Sequence, residues 1–525
     1  WVRDSLEVRT FAGRAALTLG HLDEARVQLA QAAETRHSGS SALRASAWLA
    51  AATLQLADGD RAGARRSLST GMEIVEDHRS TLGSTELRAH ASINGAELAE
   101  LGLRLATEDN DPDEVLAWAE RWHAGGFQLA PAKPDPDSRL AKAMVELRQA
   151  HAAAIEGSAD PFDSDDDDRV ASLEHEIRTL SREVEASNNA SNQLADVNAL
   201  RTRLAGNTLV EFFTIEHILH AVTVVGEETS VQTIGPLEDV AAEVRKLVSA
   251  LGRLAFGATN DAMTSATTRA LEATAQSLDQ KLLGHLPAVD EGALVIVPTG
   301  PLQSLAWAVL PSLTDRPVTV APSGGLWAST PGFQRSGRQQ ALLVCGSNLP
   351  GGETEIERLR ELYDEPQVLS GADATVSAVL AAMETADVVH VAAHGVFRTD
   401  NPMFSALELH DGPLTVYDLE TLESAPETVI LPACDAARSS VRHGDELLGT
   451  ASALLQVGVR TIVAPVTVVP DSTVVPTLMV ELHRRMIEGR PPGDALVEAR
   501  RTIDAEEQGP GLTAASFLTI GTAST

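Results

Sequence analysis

Six short apolar runs in the last 320 or so residues constrain the fold most. They are TLVEFF from Thr208, ALVIVP from Ala293, ALLVCG from Ala341, VVHVAA from Val388, TVILPA from Thr428 and RTIVAPV from Arg460. Each is short and most are rich in β-branched residues, which favours strands over helices. Segments with helical patterning, GETEIERLRELYDE, TVSAVLAAMET and GDELLGTASALLQVG, lie between the last four. Strands that alternate with helices predict a mostly parallel sheet flanked by helices, an α/β domain over residues 206–525. In such sheets sites form where loops leave the carboxyl ends of the strands.

Residues 1–155 read differently. They are rich in Ala, Leu, Arg and Glu at helical spacing with little strand signal, so an all-α domain is expected. GHLDEARVQL from Gly20 and GDRAGARRSL from Gly59 align at an offset of 39, and PDEVLAWAERWHAGGF is a degenerate third copy. A small residue in the turn followed by Ala at a helix contact suits stacked helix pairs, whose concave surface binds a partner protein. An irregular helical bundle is the alternative. Residues 156–205 are expected to hold an exposed acidic linker, GSADPFDSDDDD, and then an amphipathic helix with a seam of Val170, Leu173, Ile177, Leu180 and Val184. The acidic run lacks the alternating ligands and closing Glu of a calcium loop.

The formal charge of −33 repels phosphate backbones and anionic lipid, and no dense Lys/Arg cluster offsets it, so no direct nucleic-acid partner is expected. No apolar run reaches the roughly 20 residues that span a bilayer. The opening WVRDSLEV has neither a basic nor an apolar leader region. No membrane association and a cytoplasmic location are expected. Because the chain opens on Trp1 rather than Met, an upstream segment stays open. Two cysteines, Cys345 and Cys434, exclude a disulfide framework.

His390 and His394 stand four residues apart in VVHVAAHGVF. On a helix they could share a metal, but the Glu of a zincin motif is missing and the segment reads as a strand. There the two side chains lie about 13 Å apart on one face, too far to chelate together. No metal and no cofactor are expected. His390 sits mid-strand and reads as a core histidine with a hydrogen-bond partner. His394 ends the strand before Gly395 and is the better catalytic candidate.

The run TVILPAC ends in the same way at Cys434. Adjacent parallel strands ending in His and Cys would bring a thiol and an imidazole to one rim, as acyl transfer from a peptide bond requires. The N–H groups of Gly395 and Cys434 are candidate oxyanion donors. A lone cysteine in an apolar strand is more commonly a packing residue, and Cys345 fits that reading.

The stretches ALVIVPTGPLQSLAWAVLP, RPVTVAPSGGLWAST, VVHVAAHGVFRTDNPMFSALEL, TVILPACDAA, GDELLGTASALLQVGVRTIVAPVTVVPD and AASFLTIG together resemble the CHAT domain. This caspase-like peptidase module, related to caspases, metacaspases and separases, often follows tetratricopeptide repeats. The resemblance implies a caspase-like fold over 206–525, with His394 and Cys434 as the catalytic dyad and Gly395 at the oxyanion. Ala393 and the run PACDAA depart from the usual residues beside the dyad. Asp435, Asp445 and Glu446 are candidate walls of a pocket for a basic side chain; Asp445 read alone is first a helix N-cap. The resemblance implies a cysteine endopeptidase acting on a protein substrate, regulated by a protein activator on the repeats, and a bacterial defence or signalling role. The alternative is a catalytically silent CHAT-fold scaffold.

Overall fold

The computed structural model describes residues 2–123, 133, 138–157, 164–184, 197–204, 206–255, 261–287, 292–330, 339–433, 440–441, 447–469, 474–503 and 508–521. The two repeat glycines, Gly20 and Gly59, end helices in the left-handed region at φ 77° and 81°, and Asn110 does the same at φ 52°. After each comes the same closing bond. The N–H of His21, Asp60 and Asp111 donates to the carbonyl of Ala16, Gln55 and Ala106 at 2.8, 2.8 and 3.1 Å. Such a stop satisfies orphan carbonyls and turns the chain back on itself.

The result is three helical hairpins: α1 (Val2–Thr18) with α2 (Leu22–Ala33), α3 (Ser41–Ala57) with α4 (Arg61–Ser80), and α5 (Thr85–Glu108) with α6 (Pro112–His123). The hairpins stack, α2 on α3 and α4 on α5. At equivalent places in the second helices Ala25, Ala64 and Val115 are fully buried, as are Leu29, Leu68 and Ala119. Asp60 caps α4 by accepting from the Gly63 N–H at 2.8 Å, and Asp111 accepts from Glu114 at 3.0 Å; such a cap is worth about 1 kcal/mol. The stacked-hairpin expectation thus holds, and the degenerate third copy keeps the turn with Asn in place of Gly.

Two further helices, α7 (Arg139–Gly157) and α8 (Ser164–Ser181), pack on each other. The acidic run departs from its expectation as a linker. Residues 165–168 fall within α8; residues 158–163 lie outside the described residues. The seam is as expected, with Leu173 and Ile177 buried and Val170, Leu180 and Val184 packed against the same core.

After α9 (Val197–Leu204) the chain enters the sheet. Its strands are β1 (Thr208–Ile215), β2 (Ile218–Val225), β3 (Glu228–Pro236), β4 (Leu294–Val297), β5 (Val318–Val320), β6 (Ala341–Cys345), β7 (Gln367–Leu369) and β8 (Val388–Ala392). A small sheet of β9 (Gly395–Val396), β10 (Ala406–Leu409) and β11 (Gly412–Thr415) follows, then β12 (Thr428–Ile430), the pair β13 (Ser440–Val441) and β14 (Leu447–Leu448), β15 (Thr461–Pro465) and β16 (Phe517–Gly521).

The large sheet runs β3-β2-β1-β4-β5-β16-β15-β12-β8-β6-β7. All its junctions are parallel except β3/β2, β2/β1 and β16/β15. The six apolar runs are β1, β4, β6, β8, β12 and β15. Helices cover both faces, among them α10 (Leu237–Ala255), α11 (Asp261–Leu282), α12 (Gly324–Ser329) and α13 (Pro350–Arg360), so the central strands are buried throughout. No helix among the described residues is long and apolar enough to cross a membrane.

A buried carboxylate fastens the hairpins to this sheet. Glu120 of α6 accepts from the N–H of Gly324 at 2.6 Å and of Gly325 at 2.8 Å, at the start of α12. Beside it Glu211 of β1 lies 2.8 Å from Nδ1 of His123. Burial, then the charge of Glu211, hold the Glu120 carboxyl well above its ordinary pKa.

Candidate active site at the carboxyl edge of the sheet

Strand β8 lies between β6 and β12, parallel to both. Its register with β12 pairs Val388 with Thr428, Val389 with Val429 and His390 with Ile430, an offset of 40 residues. Both strands run toward the same edge. His394, two residues beyond the end of β8, is exposed there. Cys434, Asp435, Asp445 and Glu446 lie outside the described residues, which on this strand reach Ala433.

The loop after β6 fixes the imidazole. Gly346 donates its N–H to the Ala392 carbonyl at 2.7 Å and lies so close to the β8 end that a Cβ there would stand 2.5 Å from the Glu408 carbonyl oxygen and 2.7 Å from the Ala393 Cβ. Only glycine permits that approach. Two residues on, the Asn348 carbonyl accepts from His394 Nε2 at 3.1 Å. A carbonyl can only accept, so Nε2 carries a proton, and it is Nδ1 that holds the lone pair in the neutral form of the ring.

On the other side the Glu408 N–H donates to the His394 carbonyl at 2.9 Å. Gly395 then faces Leu407 at a non-hydrogen-bonded position of the β9/β10 ladder, so its own N–H points away from β10. The Glu408 carboxyl is raised by burial, against which the nearby His394 acts to lower it. The loop after Gly395 is tied down by Arg398, which binds Glu174 of α8 at 2.9 Å and Asp400 at 2.7 Å.

His390 lies in the core, as expected for a mid-strand histidine. Its Nδ1 is 3.0 Å from Nε2 of His483 on the helix Val474–Ile487, and His483 Nδ1 is 2.7 Å from the Tyr363 hydroxyl. His390 Nε2 stands 2.8 Å from Glu355 of α13, out of line for a full hydrogen bond. Sequence reasoning found none of these partners, nor Asn348 and Glu408. They come from four separate segments, and no local pattern links them. Cys345 is buried, and burial with Glu353 and Glu355 pushes its thiol up to about 11, consistent with a packing residue. Among the described residues no group of His, Cys, Asp and Glu could hold a metal ion.

A mostly parallel sheet with helices on both faces and a histidine at its carboxyl edge defines the class. Residues 264–510 match the model of the CHAT domain family. The matched span begins inside α11 and includes His394, Gly395 and Cys434. No curated protein matches the chain. Two crystal structures of the Saccharomyces cerevisiae separase–securin complex are similar. The one at 3.0 Å gives TM-score 0.47 at 10% identity, covering 98% of this chain and 47% of that one. The one at 2.6 Å gives 0.45 at 9% identity, covering 99% and 47%. The chain thus spans about half the length of these structures.

Proposed function

We propose that the chain is a cysteine endopeptidase working through His394 and Cys434, with a protein partner on the helical hairpins controlling it. The observation that carries this reading is the β8/β12 register. Its offset of 40 residues equals the separation of His394 and Cys434 in sequence, and His394 is exposed at the edge toward which both strands run.

In the reaction, His394 Nδ1 takes the thiol proton of Cys434, and the thiolate attacks the substrate carbonyl. The negative oxygen is received by the Gly395 N–H, which is turned out of its ladder. Collapse breaks the C–N bond, the amine leaves with the proton from His394, and water hydrolyses the thioester. Asp435, Asp445 and Glu446 are the acidic groups available to recognise a basic residue before the cut.

The test compares new protein N-termini in cells expressing the wild type or Cys434→Ala, under stress or phage challenge. Cleavages confined to the wild type support the reading. Identical N-termini under every challenge would sink it and favour a non-cutting scaffold.

A further inference from the structure

The first helices of the three hairpins, α1, α3 and α5, line a groove of 340 Å³ with Arg14, Leu49, Glu97, Glu100 and Arg104 on its walls. The groove is closed at one end by the turn between β1 and β2. Glu216 at its tip accepts from Arg104 Nη1 at 3.0 Å, and the Glu216 N–H donates to Glu100 Oε1 at 3.0 Å. The groove thus grips one residue twice, its carboxylate through an arginine and its main chain through a glutamate.

The turn itself has no conformational reason to carry this residue. It is a two-residue hairpin with Glu216 at φ 49° and His217 at φ 65°, a geometry that favours Asn-Gly. The next turn, between β2 and β3, does use glycine, Gly226 at φ 56°. Glu216 is thus tied to α5 at both its carboxylate and its main chain, with its side chain 68% exposed, as an internal ligand that can be displaced would be. Beside it the remaining cavity is open, and Arg14, paired with Glu97 at 2.6 Å across the groove, is a second cation within it.

We propose that this groove is the docking site for an acidic peptide segment of a protein partner, and that Glu216 fills its carboxylate subsite until such a segment displaces it. The proposal rests on the reading that a partner acts through the helical hairpins and names the chemistry of that partner. Displacement releases the tip of β1/β2 from α5. β1 itself pairs with β4 in the large sheet.

The probe is a fluorescein-labelled cyclised peptide of the tip sequence TIEHIL, Thr214 to Leu219. Its binding is measured to the wild type, to Glu216→Gly and to Glu216→Gly with Arg104→Ala. Glycine suits the left-handed turn, so the first variant keeps the hairpin. The expected result is at least tenfold tighter binding to Glu216→Gly than to the wild type. Adding Arg104→Ala, replacing the peptide Glu by Gln or raising the salt should remove the gain. Equal binding to the wild type and Glu216→Gly, or a gain indifferent to Arg104, overturns the proposal. No cleavage is read, so a chain that never cuts would refute the peptidase and leave this result standing.

Discussion

His390 Nδ1 and His483 Nε2 meet at 3.0 Å in a site closed to solvent, so one ring donates and the other accepts. Glu355, 2.8 Å from His390 Nε2, favours a proton on that nitrogen by its charge. A proton on Nε2 leaves Nδ1 to accept from His483, whose Nδ1 then accepts from the Tyr363 hydroxyl. The bond needs a lone pair on one of the two facing nitrogens, because two imidazolium rings would turn N–H groups against each other.

Burial, then His390, hold the His483 pKa well below its ordinary value. Its unfolded-state pKa is about 6.5. Below that pH the unfolded chain binds the proton and the folded one does not, so the stability is present above about pH 6.5 and is lost progressively as the pH falls. Thermal unfolding between pH 8 and 5 should show this loss, and His483→Gln should shallow it. A slope unchanged by the substitution would show that other groups carry the acid sensitivity.

The two cysteines should differ sharply in reactivity. With its pKa near 11, Cys345 is thiolate to about one part in 10⁴ at pH 7. Peptide mapping after a short iodoacetamide pulse should find Cys434 labelled and Cys345 labelled only after denaturation. His394→Ala should slow labelling of Cys434 by about tenfold or more. An inert Cys434 in the folded wild type would count against the dyad.

Gly346→Ala tests how the loop positions His394. The added Cβ meets the Glu408 carbonyl oxygen and the Ala393 Cβ, and the oxygen, as backbone, cannot swing aside. The loop must lift, at a cost of about 1–3 kcal/mol, and carry the Asn348 carbonyl away from Nε2. Nitrogen-15 shifts of the His394 ring should report an Nε2–H tautomer in the wild type and a mixture in the variant. An unmixed Nε2–H signal in both would mean that Asn348 does not set the tautomer.

Six strands of the sheet were legible as short apolar runs, most of them rich in β-branched residues, because a strand buried on both faces must be apolar throughout. The β2/β3 extension escaped notice. In β3, Glu228 to Pro236, most residues are only partly covered, so the run lacks that signature. His394 was legible from its place at a strand end before glycine. Asn348 was not, because it contributes a carbonyl, which every residue has. The acidic run of α8 misled because a like-charge block suits a solvated linker and a helix start equally well.

Glu120 offers the sharpest test of how the hairpins hold the sheet. The two N–H groups that it accepts, from Gly324 and Gly325, are orphan donors at the start of α12. Glu120→Ala leaves them without that partner, and the cost should be about 1–3 kcal/mol for each buried group. Because the folded pKa of Glu120 lies above the unfolded value, the folded chain binds more protons. The associated stability is complete below about pH 4.5 and declines as the pH rises through the folded pKa. Glu120→Gln keeps an acceptor and removes the titration, so it should flatten this decline at some cost at low pH. Urea unfolding at pH 5, 7 and 9 measures all three proteins on one scale. Parallel pH profiles for the wild type and Glu120→Gln would show that titration of this carboxyl does not set the pH dependence.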